Sequence, residues 1–235
     1  MPNHCFTRCV VTGSTTELSR FRTTCIAVPE PQKRTYGVAS DNKQYLTLDF
    51  QRIIPMPPEL ENTVADSHVP YQVYYTDRMP YGDSQKSVEE WRAELDVDPA
   101  NRACADRDHE LVTKYGYYDW YEWRRANWFT KWNSYGFDIV DDSPERFEFT
   151  FDTAWTFPLP IFEKLAIDFP ALRFECSCYE GGVGFGGTGF FGAEPKFEFG
   201  DATDELYAKV YGCPLLPDDD EPVAAGVAVT VALTM

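Results

Sequence analysis

The hydrophobic positions of this chain follow two patterns, and together these predict a mixture of strands and helices. Alternation of apolar and polar residues predicts strands over 4–12, 45–54, 146–152 and 172–179. Apolar residues three or four positions apart predict helices that begin after Ser14 and Ser87, and further helices over 117–132 and 161–169.

The order strand, helix, strand occurs twice, which predicts an α+β fold of the ferredoxin-like sandwich type, an antiparallel sheet with helices on one face. Residues 1–58 would form the first βαβ half. Residues 117–235 would form the second half, with an aromatic helix, a glycine-rich strand and an acidic C-terminal region. Residues 59–116 are irregular, partly helical and acidic, so we expect an insertion within a single compact domain.

The glycine-rich stretch 181–192 has spacings that resemble a dinucleotide-binding loop. Aromatic, strand-like residues interrupt it, and no helix follows that could hold a phosphate. We therefore predict a bent strand in which aromatic side chains pack over the glycines.

Charge is unevenly distributed along the chain. The net charge is −17, of which residues 83–110 contribute −5 and residues 194–221 contribute −7. Such a surface repels nucleic-acid phosphates, so we expect no direct nucleic-acid binding. It could instead imitate DNA and occupy the basic site of a nucleic-acid-binding protein, because charge supplies much of the affinity in such sites. The alternative is an ordinary acidic surface that provides solubility.

The expected partner-binding residues are the acids of these two regions. They are Glu94, Asp96, Asp98, Asp106, Asp108, Glu110, Asp201, Asp204, Glu205, Asp218, Asp219, Asp220 and Glu221.

A second hypothesis concerns the tryptophans of the C-terminal half. Trp128, Lys131, Trp132, Asp152 and Trp155 could line a site for a sugar or another small molecule, or the active site of an enzyme. No Ser-His-Asp signature is present, so we predict no catalytic residues and no enzymatic activity.

Composition bears on compartment and cofactors. The chain has no apolar run long enough to span a membrane, and it does not begin with a secretory signal pattern. We therefore expect a protein of the cytoplasm with reduced cysteines. The cysteines and histidines lack the close pairing of zinc ligands, so no metal or cofactor is predicted.

Several short segments resemble a known family. They are Met1-Pro2-Asn3-His4, Ile53-Ile54-Pro55-Met56-Pro57, Thr130-Lys131-Trp132-Asn133, and Phe151-Asp152-Thr153-Ala154-Trp155 followed by Pro158 and Pro160. In this order they resemble the Api-like proteins of bacteriophages and conjugative plasmids, which have a ferredoxin-like domain. The resemblance covers the N-terminal unit and residues 117–190. The family usually has glycine where this chain has Phe129.

The resemblance implies an origin in a mobile genetic element. Small acidic proteins of such elements often act against host defence. We therefore predict an inhibitor of the anti-CRISPR or antirestriction type, whose partner is a CRISPR effector or restriction system of the host cell.

Overall fold

The computed structural model describes residues 3–28, 45–76 and 86–215. Its main sheet has six antiparallel strands in the order β4-β5-β1-β6-β7-β8, and β2 and β3 form a separate pair. The strands are β1 (His4–Thr12), β2 (Ile26–Ala27), β3 (Thr47–Leu48), β4 (Tyr135–Ser143), β5 (Arg146–Ala154), β6 (Arg173–Glu180), β7 (Phe185–Phe191) and β8 (Lys196–Asp201).

The helices of the described residues vary from single turns to one of 17 residues. They are α1 (Thr15–Cys25), α2 (Phe50–Ile53), α3 (Pro58–Glu61), α4 (Val69–Tyr71), α5 (Val88–Leu95), α6 (Pro99–Tyr115), α7 (Trp120–Asn127), α8 (Leu159–Asp168) and α9 (Asp204–Tyr211). A π-helical turn at Gln72–Thr76 follows α4. None of the helices in this part of the chain is both long and apolar enough to cross a membrane.

The succession β1-α1-β4-β5-α8-β6, with the sheet order β4-β5-β1-β6, is the ferredoxin-like arrangement. The predicted fold is therefore confirmed, and β7 and β8 extend its sheet. The core lies between the sheet and the helices α1 and α8. It consists mainly of the alternate strand residues Cys5, Cys9, Val11, Phe147, Phe149, Phe151, Phe174, Cys176 and Cys178, with Leu18, Phe21, Ile161, Phe162 and Leu165 from the helices.

The strand predicted over 45–54 is wrong. Only Thr47–Leu48 is extended, and α2 follows directly. The side chain of Asp49 caps this helix by accepting a hydrogen bond from the backbone N–H of Gln51 at 3.1 Å. Asp49 therefore favours a helical turn where the apolar alternation indicated a continuing strand.

The second strand of the first βαβ unit is instead β4, which the sequence analysis missed. This strand is at an edge of the sheet and most of its residues are exposed or half-buried. Its pairing with β5 also shifts register between Tyr135 and Asp138 and between Ile139 and Asp141, so the short apolar alternation at its start does not continue along the strand.

Three helices also differ from expectation. The helix expected over 117–132 is limited to α7, while α6 and α9 were not predicted. Helices α1 and α8 cover one face of the sheet as expected. Helix α9 lies on the other face, where Tyr211 stacks on Phe6.

The strand expected in the glycine-rich segment is confirmed for Phe185–Phe191, which form β7 after a turn at residues 181–184. A Cβ atom at Gly187 would lie 2.7 Å from the ring of Phe197 on β8. The absence of a side chain thus allows the aromatic ring to pack directly against the strand.

Candidate binding site on the open face of the sheet

Alternate residues of the core strands point away from α1 and α8 and form what we call the open face. In one cross-strand row, Asp152 of β5 pairs with Tyr135 of β4 and with Phe6 of β1. Phe6 in turn pairs with Tyr179 of β6. Side chains at paired positions lie on the same face, about 5 Å apart. A single carboxyl group is thus set in a row of aromatic side chains.

Helix α9 adds another ring to this row. The ring of Tyr211 stacks on Phe6 with a centroid separation of 4.6 Å, and its centroid lies 6.0 Å from that of Tyr179. The helix begins at Thr203, whose side chain accepts a hydrogen bond from the backbone N–H of Leu206 at 3.2 Å. The cap therefore helps to hold the helix that carries Tyr211 over the sheet.

The carboxyl group of Asp152 is half-buried, and it takes part in none of the hydrogen bonds or ion pairs found among the described residues. Burial raises its pKa to about 6, although the nearby His4 acts in the opposite direction. Gly136 lies beside it with φ +60°, and a Cβ atom there would lie 2.7 Å from Asp152 Oδ2. Near neutral pH, the site therefore presents a poorly solvated carboxylate without a donor.

His4 and Tyr135 form the rim beside this carboxyl group. The Nδ1 atom of His4 lies 2.7 Å from the hydroxyl oxygen of Tyr135. Burial raises the pKa of Tyr135 above its usual range, so the phenol stays neutral and can act as a hydrogen-bond donor at physiological pH.

Next to Tyr135 lies the group that we call the indole pair, Trp132 and Trp155. The ammonium nitrogen of Lys131 lies 4.3 Å from the ring centroid of Trp132 and 4.2 Å from that of Trp155. Trp132 also makes an edge contact with Tyr135, with a centroid separation of 6.2 Å. The indole pair therefore continues the aromatic surface that includes Asp152.

The loop that carries Lys131 and Trp132 is anchored by buried polar side chains. The Asn133 side chain accepts a hydrogen bond from Phe50 N at 2.8 Å and donates one to Asp49 at 2.8 Å. The Thr130 hydroxyl donates to the carbonyl of Ala154 at 2.9 Å. These contacts give the Thr130–Asn133 motif a structural role in fixing the loop.

Phe129, which stands where the resembling family has glycine, has φ +63°. This left-handed backbone conformation favours glycine and costs other residues about 1–2 kcal/mol. Phe129 therefore occupies a backbone conformation for which glycine is better suited.

The structure brings together four of the five residues predicted to line a small-molecule site. Lys131, Trp132 and Trp155 form one contact group, and Asp152 lies beyond Tyr135 in the adjoining row. Trp128 is instead fully buried, and its Nε1 donates a hydrogen bond to the carbonyl of Ile54 at 2.9 Å. Trp128 is thus a core residue, not a site residue. His4, Phe6, Tyr135 and Tyr211 were missed, because only strand pairing and α9 place them beside Asp152.

Several acids of the first acidic region already have partners within the chain. Asp106 accepts hydrogen bonds from Tyr75 and Arg102, Asp96 accepts one from Tyr74, Glu94 pairs with Lys86, and Asp98 caps α6. Glu110 is exposed. Intramolecular pairing reduces the charge that this region offers to a partner.

In the second acidic region, Asp201, Asp204 and Glu205 are exposed near the beginning of α9. They have no ion-pair partner among the residues that the structure describes. The predicted residues Asp218, Asp219, Asp220 and Glu221 lie outside the described residues.

Asp108 is fully buried, so it is inaccessible to a partner, contrary to expectation. It belongs to a charged cluster that the sequence analysis did not identify. His68 Nδ1 lies 2.7 Å from Asp108 Oδ2, and His68 Nε2 lies 2.8 Å from Asp119 Oδ2. Burial lowers the pKa of His68, but the hydrogen bonds to both carboxylates outweigh it and raise the pKa to about 9. The protonated ring donates to both carboxylates and links α4 to α6 and α7.

Among the described residues, no group of three or more His, Cys, Asp or Glu side chains is arranged so that it could hold a metal ion. All seven cysteines lie in the described ranges, and none of them forms a disulfide.

Comparison with known proteins supports the family resemblance in part of the chain. Residues 127–201 match a family model described as "Ferredoxin-like domain in Api92-like protein". A solved structure, the protein api92 from Yersinia pseudotuberculosis, is similar with a TM-score of 0.43 and 8% sequence identity. The similarity covers 86% of this chain and 98% of that one. No curated protein matches the chain.

Proposed function

We propose that this protein acts by binding a basic partner protein, without catalysis, and that Asp152 receives a cationic side chain of that partner. One observation carries this proposal. Asp152 is a half-buried carboxyl group that has no hydrogen-bond donor among the described residues, and it lies in a row of aromatic rings.

The chemistry of this row suits a lysine or arginine side chain. A cation near Asp152 would compensate the unfavourable burial of the carboxylate, and charge-assisted hydrogen bonds to it are stronger than neutral ones. The rings of Phe6, Tyr135 and Tyr211 would contact the aliphatic part of the same side chain or attract its charge. The partner would thus be held by one specific anchor.

Long-range attraction would come from the net charge of −17. Asp201, Asp204 and Glu205 are the described acids best suited to this role, because they are exposed and none of them has a basic neighbour within ion-pair distance in the part of the chain that the structure describes. Surface charges of this kind increase association rates more than they increase affinity, and salt weakens their effect.

We extend the proposal to the class of partner. A basic protein surface of this kind is typical of nucleic-acid-binding machinery, which includes CRISPR effectors and restriction systems. The resemblance of short segments to the Api-like proteins of bacteriophages and conjugative plasmids, together with the acidic charge, is the basis for proposing a phage- or plasmid-encoded inhibitor of host defence. Such an inhibitor would act in the cytoplasm of the host cell.

The test is a pull-down from bacterial lysate with the tagged protein, washed at low and high salt, with and without competing DNA. We expect a nucleic-acid-binding protein that is retained at low salt and released by DNA. Asp152→Asn should weaken its retention about tenfold, the equivalent of losing one charge-assisted contact.

Glu163→Gln is the matched control, because Glu163 is exposed on α8, on the opposite side of the sheet. It should retain the partner as the parent does. Retention that is insensitive to both DNA and Asp152→Asn would overturn the proposal, as would the absence of any retained protein.

A further inference from the structure

Lys131 differs from the other lysines that the structure describes. Lys86, Lys114, Lys164, Lys196 and Lys209 each have a carboxylate within ion-pair distance. The ammonium group of Lys131 has no such partner in the described parts of the chain, and it lies between two indole rings. The protein has a net charge of −17, so acids are plentiful. Lys131 is unusual because aromatic rings, and not an acid, contact its ammonium group.

That arrangement suits a cation. Both rings approach the ammonium nitrogen at distances within the range of cation–π attraction, which extends to about 6 Å from the ring centroid. Paired aromatic faces of this kind are used by proteins to recognise organic ammonium groups. Burial lowers the pKa of Lys131, so desolvation disfavours its charged form, and the attraction of the two rings opposes this effect.

Each indole ring has an aromatic neighbour besides Lys131, since Trp132 makes an edge contact with Tyr135 and Trp155 makes one with Tyr121. The main chain that carries the rings is also held. Trp155 has φ +74°, and its backbone N–H donates a hydrogen bond to the carbonyl of Asn3 at 2.9 Å. The carbonyl of Lys131 accepts a hydrogen bond from Arg124 at 3.3 Å, which holds the main chain. The Lys131 side chain has four rotatable bonds, so its ammonium group can move away from the indole rings while the rings stay in place.

We propose that the indole pair, Trp132 and Trp155, is a binding site for the organic ammonium group of a ligand, and that Lys131 is its internal occupant, displaced when the ligand binds. The inference does not depend on Asp152 or on a protein partner. It assigns Lys131 an autoinhibitory role, since a ligand must compete with a cation that is covalently attached.

The experiment uses tetramethylammonium as the probe and indole fluorescence or indole N–H chemical shifts as the readout. Lys131→Ala empties the site, and we expect it to bind tetramethylammonium at least about tenfold more tightly than the parent, the equivalent of removing a competing cation–π contact. Lys131→Arg keeps a cation between the rings and should resemble the parent. Circular dichroism and thermal unfolding would show that both variants fold.

Two controls make the outcome specific. Lys86→Ala removes a lysine that lies 4.5 Å from the centroid of Trp91, and it should leave the affinity unchanged. Adding Trp132→Leu to Lys131→Ala should abolish the gain. Equal affinities of the parent and Lys131→Ala would overturn the inference, as would a gain that survives Trp132→Leu. If Asp152→Asn abolished the gain instead, the cation would belong to Asp152, and this inference would fail while the proposed function stood.

Discussion

Tyr135 and Asp152 are register partners on β4 and β5, and the phenol of one lies beside the carboxyl group of the other. The same aspartate pairs on its other side with Phe6. This position between two aromatic residues leaves the carboxyl group partly desolvated. The ionised form of Asp152 therefore reduces the stability of the folded protein, and a bound cation would compensate for this effect.

The pKa of Asp152 yields a prediction about stability. In the folded protein its pKa is about 6, raised by burial from the ordinary value of 3.8. The folded state therefore holds the proton more tightly, so the contribution of this group to stability is complete below about pH 4 and is lost as the pH rises through about 6. Asp152→Asn should have little effect at low pH and should stabilise the protein at pH 8 by about 1 kcal/mol, after allowance for solvent screening.

Urea unfolding of both proteins at the two pH values measures this difference. Asp138→Asn is the matched control, because Asp138 is an exposed acid on the neighbouring strand. Its effect should be small and similar at both pH values. Equal stability of the parent and Asp152→Asn at pH 8 would contradict the desolvation argument.

The backbone at Phe129 yields a second prediction. Phe129→Gly should relieve the left-handed strain at φ +63°. The side chain is 43% exposed, so glycine also loses the burial of the remaining surface, about 1–2 kcal/mol, and its greater freedom in the unfolded state adds to this cost. The relief of strain is of similar size, so we expect a net change in stability within about 1 kcal/mol of zero.

Thermal and urea unfolding would measure this change. Phe199→Gly is a suitable comparison, since Phe199 is 49% exposed but lies in β8 without a positive φ. There we expect destabilisation, because glycine weakens a strand. If both substitutions destabilised the protein alike, the strain at Phe129 would be negligible.

The His68 cluster yields a third prediction. His68→Ala would leave the carboxylates of Asp108 and Asp119 buried without their shared cation, and we expect a loss of about 3–5 kcal/mol. Since the folded pKa of His68 is about 9, above the ordinary 6.5, the stabilisation is complete below pH 6.5 and is lost as the pH rises through 9.

Chemical unfolding from pH 6 to pH 10 tests both parts. His109→Ala removes an exposed histidine that stacks on Tyr75, and it should cost about 1 kcal/mol or less at every pH. The description of His68 as a protonated ring between two carboxylates would be wrong if the parent protein were as stable at pH 10 as at pH 6. It would also be wrong if His68→Ala left the stability unchanged.

The glycines of the β7–β8 hairpin yield a fourth prediction. A Cβ atom at Gly189 would lie 2.6 Å from Phe197 Cα and closer still to the carbonyl oxygen of Lys196. Gly189→Ala would therefore force the strands apart and should cost about 1–3 kcal/mol. Gly200→Ala is the control, because nothing lies within 4 Å of its added methyl group. Urea unfolding should show it to be within about 0.5 kcal/mol of the parent, and a neutral Gly189→Ala would contradict the described pairing.

The elements that could be predicted from the sequence are those whose apolar residues all lie on one side of the element. Strands β1, β5 and β6 and helices α1 and α8 all bury one side against the common core, and their apolar residues recur with the period of the element. The candidate ligand site was predicted in part, because Lys131 and Trp132 are adjacent and Trp155 follows the strand that carries Asp152.

The remaining features depend on contacts between residues far apart in the chain. Strand β4 is an edge strand whose pairing with β5 is irregular at two places, so no single face of it is buried along its whole length, although it completes the ferredoxin-like sheet. His68 contacts Asp108 and Asp119, which are 40 and 51 residues away in the sequence. No local sequence pattern predicts such contacts.

The sequence by itself determined the periodic elements, the excess of negative charge and the residue types at the candidate sites. Only the tertiary structure decided which acids form ion pairs within the chain. It also decided that Trp128 is buried, that Trp132 and Trp155 both contact Lys131, and that Asp152 lies among aromatic rings. The physical reason is that periodicity records the side of an element that is buried. The neighbours of a side chain depend on strand order and register, which are set by the packing of the whole chain.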